Sequence, residues 1–321
     1  MKLKLAALSA LAMLVSACAT AIPPHKALPS EARGQFSATD IVLPVRQSEI
    51  YIFVAPSQTA MYGGGGLLLA LIDAGIDSSN AGTAEEAIKP LRNALVDYSF
   101  DTQMQAELQA VFSQSTWLNA GNYQVVREVT NANLDSILAA SKSSAVLFVT
   151  MDYNVNWSGD IVNVNMTTHL FPKSAELSAM IEKPETSGAK TQSVNALYRN
   201  TMTFRDRAPN ATGARETNLV IWEADNGARM RESLSGGARV LAELLMADLH
   251  QPLPPIDEKT TTLPKIAVDG LQGYIVKTDD RGTLVQFAIG TQMYITKAAL
   301  ASLPPAEARK VNKDAQQASS H

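Results

Sequence analysis

Two runs near the middle of the chain, SAVLFVTMDYNVNW (144–157) and IVNVNMTTHLF (161–171), alternate in polarity on either side of Ser158, Gly159 and Asp160. Successive side chains of a strand point to opposite faces, so Met151, Tyr153, Val155 and Trp157 share one side and Asp152, Asn154 and Asn156 the other. The second run repeats the pattern, with Val162, Val164 and Met166 against Asn163, Asn165 and Thr167. Two such runs around a short turn predict an antiparallel hairpin with one apolar face and one amide-rich face. The apolar face has to be covered by other elements, and that requirement organises the rest of the chain.

Helical spacing is available for the cover. In TAEEAIKPLRNALVDYSF, Thr83 and Glu86 form a capping box before Ile88, Leu91, Leu95 and Tyr98, with Pro90 inside the pattern. Asp101 is the expected N-cap of a second helix carrying Met104, Leu108, Val111 and Phe112. A short helix is expected in NANLDSILAASKS, and a Leu-rich one over 235–249. Further strands are expected in EIYIFVAPS (49–57), YQVVREV (123–129) and NALYRNTMTFRDRA. NLVIWEADNGARMRESL reads as another strand with a hairpin-type DNG turn. Residues 172–194 read as a polar loop. A Pro/Thr-rich linker over 251–264 precedes short Gly-punctuated strands over 265–300, with a polar tail at 301–321. The expected fold is α/β (α+β): a mixed sheet flanked by helices, with a small C-terminal all-β appendage.

The N-terminus predicts where the chain goes. Lys2 and Lys4 precede a short apolar run, LAALSALAML, and small residues lead to the single cysteine of the chain. That is the layout of a secretory signal over 1–17, too short for a comfortable membrane span. VSAC (15–18) resembles the lipobox of bacterial lipoproteins, which implies lipid on Cys18 as the new N-terminus. Ala19, where an aspartate would resemble an inner-membrane retention signal, implies the outer membrane with the protein facing the periplasm. Residues 18–48 are Pro-rich and polar and read as a flexible lipidated tether, with the α/β domain spanning 49–250. With one cysteine, no intramolecular disulfide can form, so the fold must rest on its core. Basic and acidic residues number 27 and 31, and no long basic run occurs, so nucleic acid is not an expected partner.

The stretch AMYGGGGLLLALIDAGIDSSNAG (60–82) poses the sharpest question of chemistry. A phosphate-binding loop needs Lys and a hydroxyl directly after its glycines, and here Leu67, Leu68 and Leu69 follow. The uncharged run from Gly63 to Ile72 is about half the roughly 20 residues of a membrane-spanning helix. Gly63, Gly64, Gly66, Ala70 and Ala74 instead offer a small-residue ridge for close packing. Three uses stay open: the domain's own core, a partner or second copy, and lipid.

No catalytic constellation is legible. His25, His169, His250 and His321 lie far apart, without metal-ligand spacing, so no metal or cofactor is expected. His250 after Leu249 suits a helix C-terminus. There is no G-x-S-x-G elbow. The remaining candidates for binding are Asn154, Asn156, Asn163 and Asn165, an amide patch able to hydrogen-bond sugars or peptide, or simply an exposed sheet face.

The stretches NANLDSILAASKSSAVLFVTMDYNV and VIWEADNGARMRESLSGGARVLAELLMADL, behind a lipobox, resemble a group of envelope lipoproteins. The group comprises the curli-secretion lipoprotein, the lipoprotein activators of penicillin-binding proteins and the N-terminal domain of the Tol-system propeller protein. The resemblance covers about residues 49–249 and implies a non-enzymatic α/β domain that binds other envelope proteins, often as an oligomer. The expectation is therefore an outer-membrane-anchored scaffold or regulator of an envelope assembly or secretion system. The alternative is an envelope glycan-binding module or hydrolase that uses the Asn-rich face.

Overall fold

The computed structural model describes residues 25–53, 78–127, 129–181 and 195–303. Among them, ten strands build one mixed sheet: β1 (Thr39–Pro44), β2 (Tyr51–Ile52), β3 (Ala120–Val126), β4 (Ala145–Val155), β5 (Ile161–Pro172), β6 (Tyr198–Arg207), β7 (Lys265–Val268), β8 (Leu271–Thr278), β9 (Gly282–Phe287) and β10 (Gln292–Thr296). The order is β3-β1-β4-β5-β6-β10-β9-β8-β7, with the short β2 continuing along β4 beyond β1. β1 is parallel to β3 and β4, and β6 is parallel to β10; β4, β5 and β6 run antiparallel in turn. The expected hairpin is present in full register, from Ala145 opposite Pro172 to Val155 opposite Val162. The mixed α/β architecture is thus what the sequence pattern implies.

Six helices accompany the sheet among the described residues: α1 (Ser78–Ala94), α2 (Phe100–Phe112), α3 (Asn131–Ala140), α4 (Ala175–Ser178), α5 (Arg215–His250) and α6 (Lys297–Leu300). Helices α1, α2 and α5 cover one face. Ile88 and Leu91 of α1, Met104 and Leu108 of α2, and Leu234, Leu241 and Leu245 of α5 pack on Leu147, Val164, Met166 and Met202. Full burial of each such side chain is worth about 1.5–3 kcal/mol against the extended chain. Helix α5 comes very close to the sheet at Gly237, where a Cβ would fall 2.8 Å from the Phe204 ring and 3.0 Å from Val164. On the opposite face, α3 covers Val42, Val126, Val146 and Phe148 at one end, while α6 closes a small cluster of Val268, Val285, Phe287 and Ile295 at the other. The polar middle of that face lies between them.

Several elements differ from the sequence expectation. NLVIWEADNGARMRESL is not a strand and hairpin turn but the first half of α5. Leu219, Trp222, Met230, Leu234 and Ala238 recur at helical spacing and are buried, but the turn in their midst hides the period. Ala224 is extended (ψ 146°) and Asp225, Asn226 and Gly227 all adopt positive φ (53°, 58° and 72°), so α5 consists of two helical segments joined by a turn at these four residues. Asp, Asn and Gly tolerate the left-handed region best. The capping box at Thr83 does not start a helix, because α1 begins at Ser78. Asp101 sits in the first turn of α2, and Ser99 is the N-cap. The strand expected over 49–57 is reduced to Tyr51–Ile52, and its last residues, from 54, lie outside the described residues.

The expected tether is also shorter. Residues from His25 already belong to the body: Lys26 bridges Arg199, a 3-10 helix (Ser30–Gln35) buries Ala32, and β1 lies inside the sheet. In the C-terminal region β10 hydrogen-bonds directly to β6, so the sheet runs through these strands without a break.

A buried carboxylate joins the distant segments. Asp248 of α5 is 2 % exposed. Its Oδ2 accepts hydrogen bonds from His25 Nε2 at 3.0 Å, Tyr198 Oη at 2.8 Å and Asn200 Nδ2 at 2.8 Å; its Oδ1 accepts from Gln292 Nε2 at 2.9 Å. Burial by itself raises the pKa of Asp248, but the donors His25, Tyr198 and Asn200 outweigh it and hold the carboxyl below the usual range. A depressed carboxyl pKa stabilises the fold above the unfolded value of about 3.9, and that contribution is lost as pH falls through the folded value. Asp248→Asn therefore should cost about 2–4 kcal/mol in urea unfolding at neutral pH. The gap between variant and wild type should narrow as pH drops below about 4; a gap constant with pH would contradict the assignment.

Candidate functional site

The polar face at the middle of the sheet is set by register. Asp152 lies opposite Asn165, which lies opposite Thr203; Asn154 lies opposite Asn163, which lies opposite Arg205. Side chains directly opposite one another on one sheet face are close enough to bond. The first row is joined by Asn165 Nδ2 donating to Asp152 Oδ1 (2.8 Å) and Thr203 Oγ1 donating to Asn165 Oδ1 (2.9 Å). The second row runs from Asn163 Nδ2 to Asn154 Oδ1 (3.4 Å) and from Arg205 Nε to Asn163 Oδ1 (2.9 Å). Arg205 then grips both oxygens of Asp269, with Nη1 at 3.1 Å from Oδ1.

Asp269 and Gly270 form the two-residue turn between β7 and β8, with φ of 47° and 91°. An Asp-Gly pair is well suited to this hairpin turn. The polar ladder thereby reaches across the sheet and holds the β7–β8 hairpin over it.

The four asparagines singled out from sequence have specific places. Asn154 is buried (4 % exposed), and its amide carbonyl is committed to Asn163. Asn163 and Asn165 are rungs of the ladder. Asn156 belongs to the β4–β5 turn instead: its Oδ1 accepts from the backbone N–H of Asp160 and Ile161, and its Nδ2 donates to Ser158 and Asp160. The structure brings Asn154, Asn163 and Asn165 together as a bonded array and leaves Asn156 to shape the hairpin end. Cys18 and the ridge residues Gly63, Gly64, Gly66, Ala70 and Ala74 lie outside the described residues.

A cleft of about 370 Å³ opens beside the ladder, between the polar face and the β7–β8 and β9–β10 turns. Its floor is Asp152, Asn165, Thr167, Thr201 and Thr203; its wall is Leu271, Phe287, Ile289 and Met293. Burial pushes the Asp152 carboxyl up, against the lowering effect of hydrogen bonds from Asn165 and Asn154. Burial also pushes the Tyr51 hydroxyl up, and the negative charge of Asp152 adds to it. Farther along the same face, burial and then the charges of Arg199 and Arg46 lower His169 to about 4, which leaves its ring neutral at physiological pH.

A second cleft, of about 220 Å³, lies beside the C-terminal end of β1 and the start of α2, with Tyr98, Asp101 and Arg127 at its edge. Asp101 and Arg127 are paired with each other there. Among the described residues no group of three or more His, Cys, Asp or Glu gathers to hold a metal, and no helix is long and apolar enough to cross a membrane.

Sequence reasoning reached the alternation that places Asp152 and Thr167 on the polar face, but not Thr201, Thr203, Arg205 or Asp269. Their signals were the TMTFR alternation of β6 and the VDGL turn, which become informative once β6 is known to pair with β5. No protein-family model matches this sequence, and no curated protein does.

Arg205 is 6 % exposed in its side chain and Asp269 is 64 % exposed. Arg205→Met should therefore destabilise by about 1–2 kcal/mol, mainly by leaving Asn163 without its donor. Asp269→Asn, which keeps a turn-compatible residue, should cost under about 1 kcal/mol. Equal losses in urea unfolding would contradict this division.

Proposed function

We propose that the protein is an outer-membrane lipoprotein, anchored through lipid on Cys18 and facing the periplasm, that acts as a non-enzymatic scaffold or regulator of an envelope assembly or secretion system. The observation that carries this reading is the shortness of the leash. Cys18 and His25 are seven positions apart, and the His25 side chain is held by Asp248 inside the body. Seven residues reach at most about 25 Å even when fully extended. A body held so close to a membrane works on molecules at that surface, chiefly other envelope proteins and further copies of itself.

The engaged amides point the same way. Binding a glycan through Asn154, Asn163 and Asn165 would require breaking hydrogen bonds that these side chains make with one another and with Arg205. That weighs against the glycan-binding alternative and in favour of the ladder as a structural brace. The resemblance to envelope lipoproteins, carried by residues 15–18 and the two stretches quoted above, adds support of its own.

Two changes to the chain test the reading. Cys18→Ser should abolish palmitate labelling and move the protein from the membrane to the soluble fraction. A Gly/Ser insertion of about 20 residues after Pro24 adds roughly 25 Å of mean reach and should reduce or change the set of envelope proteins crosslinked to the body. Membrane retention of Cys18→Ser, or an identical crosslinking pattern after the insertion, would contradict the proposal.

A further inference from the structure

We propose that the cleft between the polar sheet face and the β7–β8 turn binds a small organic cation: a primary amine carried on an apolar body. The inference does not depend on the lipid anchor or on any partner protein. Its volume, about 370 Å³, is within the usual range for small-molecule sites. One side of the cleft is polar and the other apolar, so a fitting ligand has two chemically distinct ends.

The polar end is anionic. Asp152 and Glu258 both line the cleft, and neither forms an ion pair among the described residues. Asp269, also in the lining, is already matched by Arg205. Glu258 accepts only a long hydrogen bond, from Tyr274 Oη at 3.3 Å. Asp152 accepts from Asn165 on Oδ1 and is also stabilised by Asn154, while an ionised carboxylate can accept about four hydrogen bonds. A half-buried carboxylate short of partners is costly, and a cation relieves the cost.

An ammonium group has three donors and no acceptor. The floor offers matching acceptors. Thr167 and Thr201 face each other across β5 and β6, one step along the face from the Asp152–Asn165 pair. Neither hydroxyl has a hydrogen-bond partner among the described residues. One carboxylate and two hydroxyls would satisfy the three N–H groups of an ammonium ion. A neutral sugar would leave the carboxylate unpaired, and an anion would be repelled.

The apolar end is equally defined. Leu271 and Ile289 are 62 % and 48 % exposed, unusual for residues of that size, and both stand on the cleft wall with Phe287 and Met293. Covering them with an apolar body removes surface from water at about 25 cal/mol per Å².

Calorimetric titration of the full chain in detergent solution with three indoles tests the proposal: tryptamine (cation), indole-3-ethanol (neutral) and indole-3-acetate (anion). The same detergent without protein serves as blank. Tryptamine should bind at least about tenfold more tightly than indole-3-ethanol, and indole-3-acetate should not bind. Nα-acetyl-lysine methylamide, with the ammonium but no ring, should compete poorly; competition equal to that of tryptamine would remove the apolar wall from the argument and overturn the proposal. Asp152→Asn should reduce tryptamine to the affinity of indole-3-ethanol and leave the latter unchanged. Thr201→Val, which keeps the shape and removes one acceptor, should weaken tryptamine alone and serves should Asp152→Asn fail to fold. Equal binding of the three indoles, no binding of any, or wild-type affinity for tryptamine in Thr201→Val would each overturn the proposal.

Discussion

The four hydrogen bonds on Asp248 hold together parts of the chain that lie far apart in sequence. Their donors come from His25 near the start, from Tyr198 and Asn200 on β6, and from Gln292 on β10. A carboxylate inside a protein is tolerated when its acceptor sites are filled, and each missing donor is felt at nearly full desolvation cost. The site therefore demands that four segments be in place at once. It also decides the position of the N-terminal segment, which composition alone describes as a tether. A second buried carboxylate repeats the device on a smaller scale: Asp206 of β6 accepts from Thr296 at 2.7 Å and Arg229 at 2.8 Å, and so links β6 to the end of β10 and to α5.

The two faces of the sheet are stabilised by different physics. The face under α1, α2 and α5 carries the main apolar core. The other face is patched. Apolar clusters sit under α3 and α6, and between them the strands are joined by directional bonds from Asp152 to Thr203 and from Asn154 to Asp269. Directional bonds specify register more sharply than apolar contact does, because a slip of one residue turns the whole row to the wrong face. The cleft arises where this bonded floor meets the apolar turn residues of the C-terminal strands.

What could be read from sequence follows the range of the forces involved. The hairpin of β4 and β5 was legible because period-two alternation over two long runs is a local signal. The final turns of α5 were legible for the same reason, at period 3.6. The first turns of α5 were not, because DNG between alternating residues is also a strong hairpin signal, and only the burial of Trp222 and Met230 on one side decides for a helix. His25 was illegible in principle: a lone histidine in a Pro-rich stretch acquires meaning only from an aspartate 223 residues away. The amides of the candidate site were visible as a row, but their mutual bonding depends on the pairing of β5 with β6, which lie on either side of residues 182–194.

The parallel pairing of β6 with β10 has a consequence for the order of events in folding. β6 cannot gain that neighbour until residues 292–296 are available, long after α5 has been made. Until then β6 presents an open edge, and Asp248 lacks the amide of Gln292. Long-range pairing of this kind is slow and leaves incomplete chains exposed. The topology itself delays closure of the sheet until nearly the whole chain is present, and the last strands to arrive complete both the core and the cleft.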